Sequence, residues 1–172
     1  MKKKLWCIAL CVMMLLTSVG CTLVYAISAD VQHMDPQAQV DTTSETVVKA
    51  LYNTLLRFED NGTVVGELAE DWSVSEDQLT WTFKLKEGVK FHNGKEMTAE
   101  DVKFSYDYGF EGPIGTALFV NYKQCDIIDD YTVKMTLSSP YAAFPYGVAS
   151  RLGGIACKAY FDEVGDDEYV KN

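Results

Sequence analysis

The sequence predicts an α+β domain, on three observations. Residues 79–85 (LTWTFKL) and 131–137 (YTVKMTL) alternate apolar and polar side chains, the period of a strand with one buried face. Residues 41–56 and 98–110 carry apolar side chains at helical spacing behind capping residues. Strands and helices follow one another without the strict alternation of a parallel sheet, which favours helices gathered beside an antiparallel one.

The N-terminus comes first. Lys2, Lys3 and Lys4 precede the uncharged run 5–16 and then the small-residue stretch Thr17-Ser18-Val19-Gly20-Cys21. A positive end, a short apolar run and a small-residue exit are the parts of an export signal. The run is shorter than the ~20 residues a membrane-spanning helix needs. Two processing readings compete. Val19-Gly20-Cys21 is similar to the bacterial lipobox, in which the cysteine is acylated, although Ser18 replaces the usual leucine. Val24-Tyr25-Ala26 suits ordinary signal peptidase. Cutting after Ala26 would destroy the alternating segment 22–28 (TLVYAIS), so lipid attachment at Cys21 is the expectation, tying the domain to the outer face of a membrane.

In the stretch 41–56, Thr42, Thr43 or Ser44 can cap, and Val47, Val48, Leu51, Tyr52 and Leu55 share one face. Asn61-Gly62 and Asn93-Gly94 mark tight turns. Thr98-Ala-Glu-Asp101 is a capping pattern, with Val102, Tyr106 and Phe110 in one stripe behind it. Ser138-Ser139-Pro140 stops the second strand, and the chain from Lys158 reads as short helices with an acidic surface. No internal repeat is visible.

Composition narrows the function. The chain has 172 residues, 15 basic against 25 acidic, for a net charge of -10; beyond Cys21 the balance is 12 against 25. With a pI near 4.6 and no basic cluster outside the leader, a nucleic-acid partner is excluded, because lysine and arginine supply most of such affinity. Cys125 and Cys157 are the cysteines of the body; one disulfide or two free thiols are both open.

Catalytic patterns are missing. In 88–95 (GVKFHNGK) one residue too many separates the glycines of a phosphate loop, and Glu96 stands where Ser or Thr should ligate magnesium. No nucleophile elbow, H-E-x-x-H or dinucleotide fingerprint occurs. His33 and His92 lack a neighbouring Cys or His at ligand spacing, so no metal and no cofactor is expected. A thiol enzyme pairing Cys157 with a histidine stays open, since such partners meet only in the fold.

The stretch 67–107 holds Leu68-Ala-x-x-Trp72, the Trp-Thr-Phe-x-Leu run ending at Leu85, Gly88-Val-Lys-Phe-His-Asn-Gly94 and Thr98-Ala-Glu-Asp-Val102. Together these resemble the bacterial extracellular solute-binding proteins of family 5, the oligopeptide, dipeptide and nickel receptors of ABC importers. Weaker similarity runs from Thr22, through Met34-Asp35-Pro36, to the Tyr160-Phe161 region. The resemblance implies a periplasmic-binding-protein-like class II fold with an extra domain. Of that fold the chain would hold the opening strand of lobe one and most of the small extra mixed α/β domain. It implies these bounds: 1–21 export signal, 22–40 first segment of lobe one, 41–160 extra domain, 161–172 start of a return to lobe one. It also implies binding without catalysis, outside the cytoplasm, of a peptide or small solute passed to an ABC permease. Nickel-type binding, a secreted thiol hydrolase and a structural lipoprotein are the alternatives. Family members are several hundred residues long, so the chain reads as an N-terminal fragment with weak or no peptide binding of its own. By resemblance, Phe119 falls near a ligand-facing aromatic and Arg151 near a carboxylate-binding arginine.

Overall fold

The protein's computed structural model describes residues 30–31, 34–38, 41–112, 115, 120–150, 153–165 and 169. Helix α1 spans Thr42–Leu51. Its N-cap is Asp41, whose Oδ1 accepts from the Ser44 N–H at 2.8 Å; that hydrogen bond holds the Asp41 carboxyl below its usual range. The cap therefore sits one residue ahead of the Thr/Thr/Ser run that the sequence offers. The helix also ends five residues before Leu56. Tyr52 is already extended, and the next residues are claimed by tertiary bonds: Glu67 Oε2 accepts from the Thr54 N–H at 2.8 Å and from its hydroxyl at 2.9 Å. Leu55 and Leu56, fully buried, belong to the core instead of a helix face.

Strands β1 (Leu56–Phe58) and β2 (Val64–Gly66) form a two-stranded antiparallel ribbon. Its turn is the Asn61-Gly62 pair, where Gly62 alone takes positive φ (82°) and Asn61 Oδ1 accepts from the Thr63 N–H. The main sheet has four antiparallel strands: β3 (Ala69–Val74), β4 (Thr80–Leu85), β5 (Tyr122–Asp129) and β6 (Thr132–Leu137), in the order β3-β4-β6-β5. The two alternating runs of the sequence are thus the two central strands, paired directly with Phe83 opposite Val133 and Trp81 opposite Met135. Trp81, Phe83 and Leu85 point with Val133, Met135 and Leu137 into one core, and Lys84 faces solvent. One face of the sheet is dry.

Helix α2 (Ala99–Glu111) covers that face. Thr98 starts it, and the Asp101 carboxylate accepts from the Thr98 N–H at 2.9 Å, the capping box legible in the sequence. Val102 and Tyr106 lie fully buried in its stripe. Asp101 does a second job, since its other oxygen accepts from the Lys158 N–H at 2.9 Å and so docks the last helix. Two short helices complete the layer: α3 (Phe144–Val148), whose Phe144 ring lies 5.8 Å from that of Trp81, and α4 (Lys158–Val164). Helices packed against one antiparallel sheet make the architecture α+β. No helix among the described residues is long and apolar enough to cross a membrane.

Candidate functional site

Cys21, Phe119 and Arg151, and the alternating segment 22–28, lie outside the described residues. The described flanks of Phe119 and Arg151, however, meet at one place. The first connection leaves α2 at Gly112 and returns through Asn121, held in a left-handed conformation (φ 65°), into β5. Phe110 and Tyr106 of α2 lie 5.3 and 6.1 Å from the Tyr122 ring, so the connection starts and finishes on one aromatic group. The second connection returns at Gly153. A Cβ there would collide with the Val148 carbonyl oxygen and sit 3.3 Å from the Tyr106 hydroxyl. The first connection thus leaves α2, and the second, which follows α3, returns beside the same helix at Tyr106. Burial raises the phenol pKa of both Tyr106 and Tyr122 well above its ordinary value, so these are neutral packing groups.

A second constellation joins the first described segment to the end of the domain. Asp35 is buried, and its Oδ1 accepts from the Gln37 N–H at 2.8 Å. The Tyr108 hydroxyl donates to the other oxygen at 3.5 Å. Gln37 Nε2 donates to the Gly154 carbonyl at 2.6 Å, and Pro36 packs where a Gly154 side chain would be. Tyr108, Phe161 and Tyr169 pack edge to face beside this knot with ring centroids 5.3–6.1 Å apart. The Tyr52 phenol is pushed up by burial and then by the Asp35 charge, as is that of Tyr169 by burial first. Residues 34–38 are therefore clasped to Gly154 by the Gln37 and Pro36 side chains and to α2 by Tyr108. Only Met34-Asp35-Pro36 was visible beforehand, as part of a family pattern; the tyrosines that close the clasp are spread over 117 positions of sequence and carry no local signal.

Next to the clasp lies a concavity of about 420 Å³, between the hairpin around Asn93-Gly94 and the extended segment 155–157. Gly94 turns that hairpin (φ 82°), and the Lys90–Glu96 bridge closes it, in place of any phosphate loop. His92 and Cys157 both line the concavity, and Asn93 Nδ2 donates to Cys157 Sγ at 3.4 Å. Both body cysteines are free thiols. Burial pushes the Cys125 thiol up to about 12, which makes it inert; Cys157 is half-buried. Among the described residues no three of His, Cys, Asp and Glu converge as a metal site.

The described residues form one mixed α+β domain with its first segment clasped to Gly154. Comparison with known proteins specifies its family. Residues 63–170 match the family model of bacterial extracellular solute-binding proteins, family 5 (middle region), and the chain belongs to that family. It is similar to the probable D,D-dipeptide-binding periplasmic protein DdpA of Escherichia coli K12, at 36% identity over 152 residues, covering 85% of this chain and 30% of that protein. Among solved structures it is similar to AgaA of A. tumefacien R10 in complex with agropinic acid, at 32% identity and TM-score 0.74, covering 82% of this chain and 29% of that one. It is also similar to DppA of Helicobacter pylori in complex with the peptide STSA, at 28% identity and TM-score 0.72, covering 86% and 33%. The chain spans about a third of the length of these relatives.

Proposed function

We propose that this chain supplies one wall of an extracytoplasmic solute receptor that captures a peptide or related small solute and passes it, unchanged, to an ABC permease. Membership of family 5 carries the reading. Two of its relatives are a probable D,D-dipeptide-binding protein and a receptor solved with the peptide STSA; a third was solved with agropinic acid, so peptide is the preferred class and not the sole one. Family resemblance leads us to place Phe119 and Arg151 on a common ligand-facing edge, a reading supported by their described flanks Tyr122 and Gly153, which both adjoin Tyr106. There Phe119 stacks on an apolar side chain and Arg151 pairs with a carboxylate.

The remaining assignments belong to the same reading. Residues 1–21 are an export signal with lipid attachment at Cys21, 22–40 open lobe one, 41–160 form the extra domain and 161–172 begin the return. Because the chain covers about a third of its relatives, most of the ligand surface of such a receptor lies elsewhere. Titrating the chain with tri- and tetrapeptides by calorimetry, with mass spectrometry of the peptides afterwards, tests this. The reading predicts a Kd of about 1 mM or weaker and intact peptides. Micromolar affinity would refute the one-wall assignment, and cleaved peptides sensitive to thiol alkylation would replace it with the Cys157 hydrolase.

A further inference from the structure

The concavity beside the clasp is not used by the solute-receptor reading, which rests on family membership and places its ligand residues on other loops. Its floor is buried and apolar: Leu68, Met97, Ile155 and Ala156 are each no more than 8% exposed. Its rim is polar and of one kind. Lys90, His92, Asn93 and Tyr160 present hydrogen-bond donors, and among the described residues Lys90 is the one charged side chain in the lining and no carboxylate lines it. The Asn93 Oδ1 accepts from the Lys95 N–H at 3.0 Å, which fixes the amide at the rim, and its Nδ2 donates to the soft Cys157 sulfur at 3.4 Å, a weak bond that a harder acceptor improves on.

An apolar floor with a few convergent polar groups is the usual make-up of a small-molecule site, and about 420 Å³ lies within the usual range. A cation would meet the Lys90 ammonium and, among the described lining residues, no carboxylate. A carboxylate would gain the Lys90 ammonium and the neighbouring donors while its hydrocarbon part replaces water over Met97 and Ile155. From the geometry we infer that this concavity binds small apolar carboxylates, aromatic or branched, with the carboxylate at the Lys90–Asn93 rim. The inference stands apart from the receptor reading, and either can fail alone.

Cys157 supplies the reporter, because it lines the same space and is half-buried, while Cys125 is buried. The rate of Cys157 alkylation by iodoacetamide, read peptide by peptide by mass spectrometry in the full chain, measures occupancy. Three probes of equal size separate the chemistry: 3-phenylpropionate, 3-phenylpropanol and 3-phenylpropylammonium. At ten times its dissociation constant, which for so small a ligand is about millimolar, the carboxylate slows alkylation about tenfold. The alcohol protects less and the ammonium not at all. Lys90→Glu, on an exposed side chain, reverses the order of carboxylate and ammonium, each protected rate being compared with that variant's own unprotected rate. Equal protection by all three probes would overturn the inference, as would no protection up to ten millimolar. Alkylation that is already slow without any probe would overturn it too, showing the concavity covered by protein: concentration-dependent if by a second copy, concentration-independent if by a segment of the chain itself.

Discussion

Replacing Gly154 by alanine tests whether residues 34–38 are truly clasped to the domain, because the two possible outcomes differ in sign. Gly154 does not need a positive φ. At such a position an added methyl ordinarily stabilises a protein by about 0.4–1 kcal/mol, through the reduced entropy of the unfolded chain. Here the new Cβ would lie 2.9 Å from Pro36 Cβ and 3.2 Å from Tyr52 Cβ, both on segments held by other bonds. Overpacking of this kind costs about 1–3 kcal/mol. Taking mid-values, Gly154→Ala loses about 1.3 kcal/mol, a fall in Tm of about 3–5 °C for a domain of this size. Urea unfolding followed by tryptophan fluorescence reads the change. Pro36→Gly in the same background removes the closest atom, so the two substitutions couple by about 0.5 kcal/mol or more and are not additive. If Gly154→Ala raised stability, the 34–38 segment would not lie against Gly154, and the clasp would be wrong.

Other consequences are as direct. Asp101→Ala removes both the α2 cap and the acceptor for the Lys158 N–H, and is expected to cost about 2–4 kcal/mol by denaturant unfolding, with Asp101→Asn costing less. Phe83→Ala, at the centre of the dry face, is expected to cost about 3–5 kcal/mol by the same measurement. Cys125 gives a pH dependence. Its folded pKa is raised to about 12 from 9.0, so the unfolded thiol ionises first as pH rises. The stability it contributes is complete below pH 9 and is lost between 9 and 12; Cys125→Ala flattens that part of the urea midpoint against pH. Glu96 works in the opposite direction: the Tyr131 hydroxyl at 2.6 Å and the Gly88 N–H at 2.9 Å hold it below 4.5. Stability from that pair is present above pH 4.5 and fades below it; Tyr131→Phe diminishes the acid-side loss in the same titration.

The central strands and the second helix could be read from the sequence because their local and tertiary demands agree. In β4 and β6 each alternate side chain meets the core, so the period of two survives intact, and in α2 Thr98 and Asp101 write the cap three residues apart. The edge strands were silent for the opposite reason. β3 reads AEDWSV, with Ala69 buried and Trp72 half-buried, and a register shift lies between Ala69 and Asp71. β5 has two such shifts, and the exposed Ile127 and Ile128 sit side by side, which erases its alternation. Residues 52–56 follow helical spacing and are nonetheless taken out of α1 by Glu67, a contact that no window of sequence contains. Glu67 is also the first residue of the family-like stretch, yet nothing in its neighbours announces that role.

The same split holds for the site. Motif resemblance led to the family and to Asp35-Pro36, because those residues are contiguous. It could not assemble Tyr52, Tyr108 and Tyr169 around Asp35, nor bring His92, Asn93 and Cys157 to one concavity, because only the antiparallel sheet and the docking of α4 on Asp101 do so. The hairpin at Asn93-Gly94 shows how little a glycine-rich string means without its context: the same residues that faintly imitate a phosphate loop build a turn whose side chains face a thiol.

Photo-cross-linking measures most directly whether the chain forms the wall of a receptor. A tripeptide carrying a benzoylphenylalanine residue, applied at millimolar concentration to the full chain, marks the peptides it touches, which mass spectrometry then maps. The account predicts adducts concentrated in residues 113–121 and 151–152, lost with Phe119→Ala and Arg151→Ala while the fold persists. Adducts spread over the outer faces of β3 and β5, or unchanged by both substitutions, would contradict it.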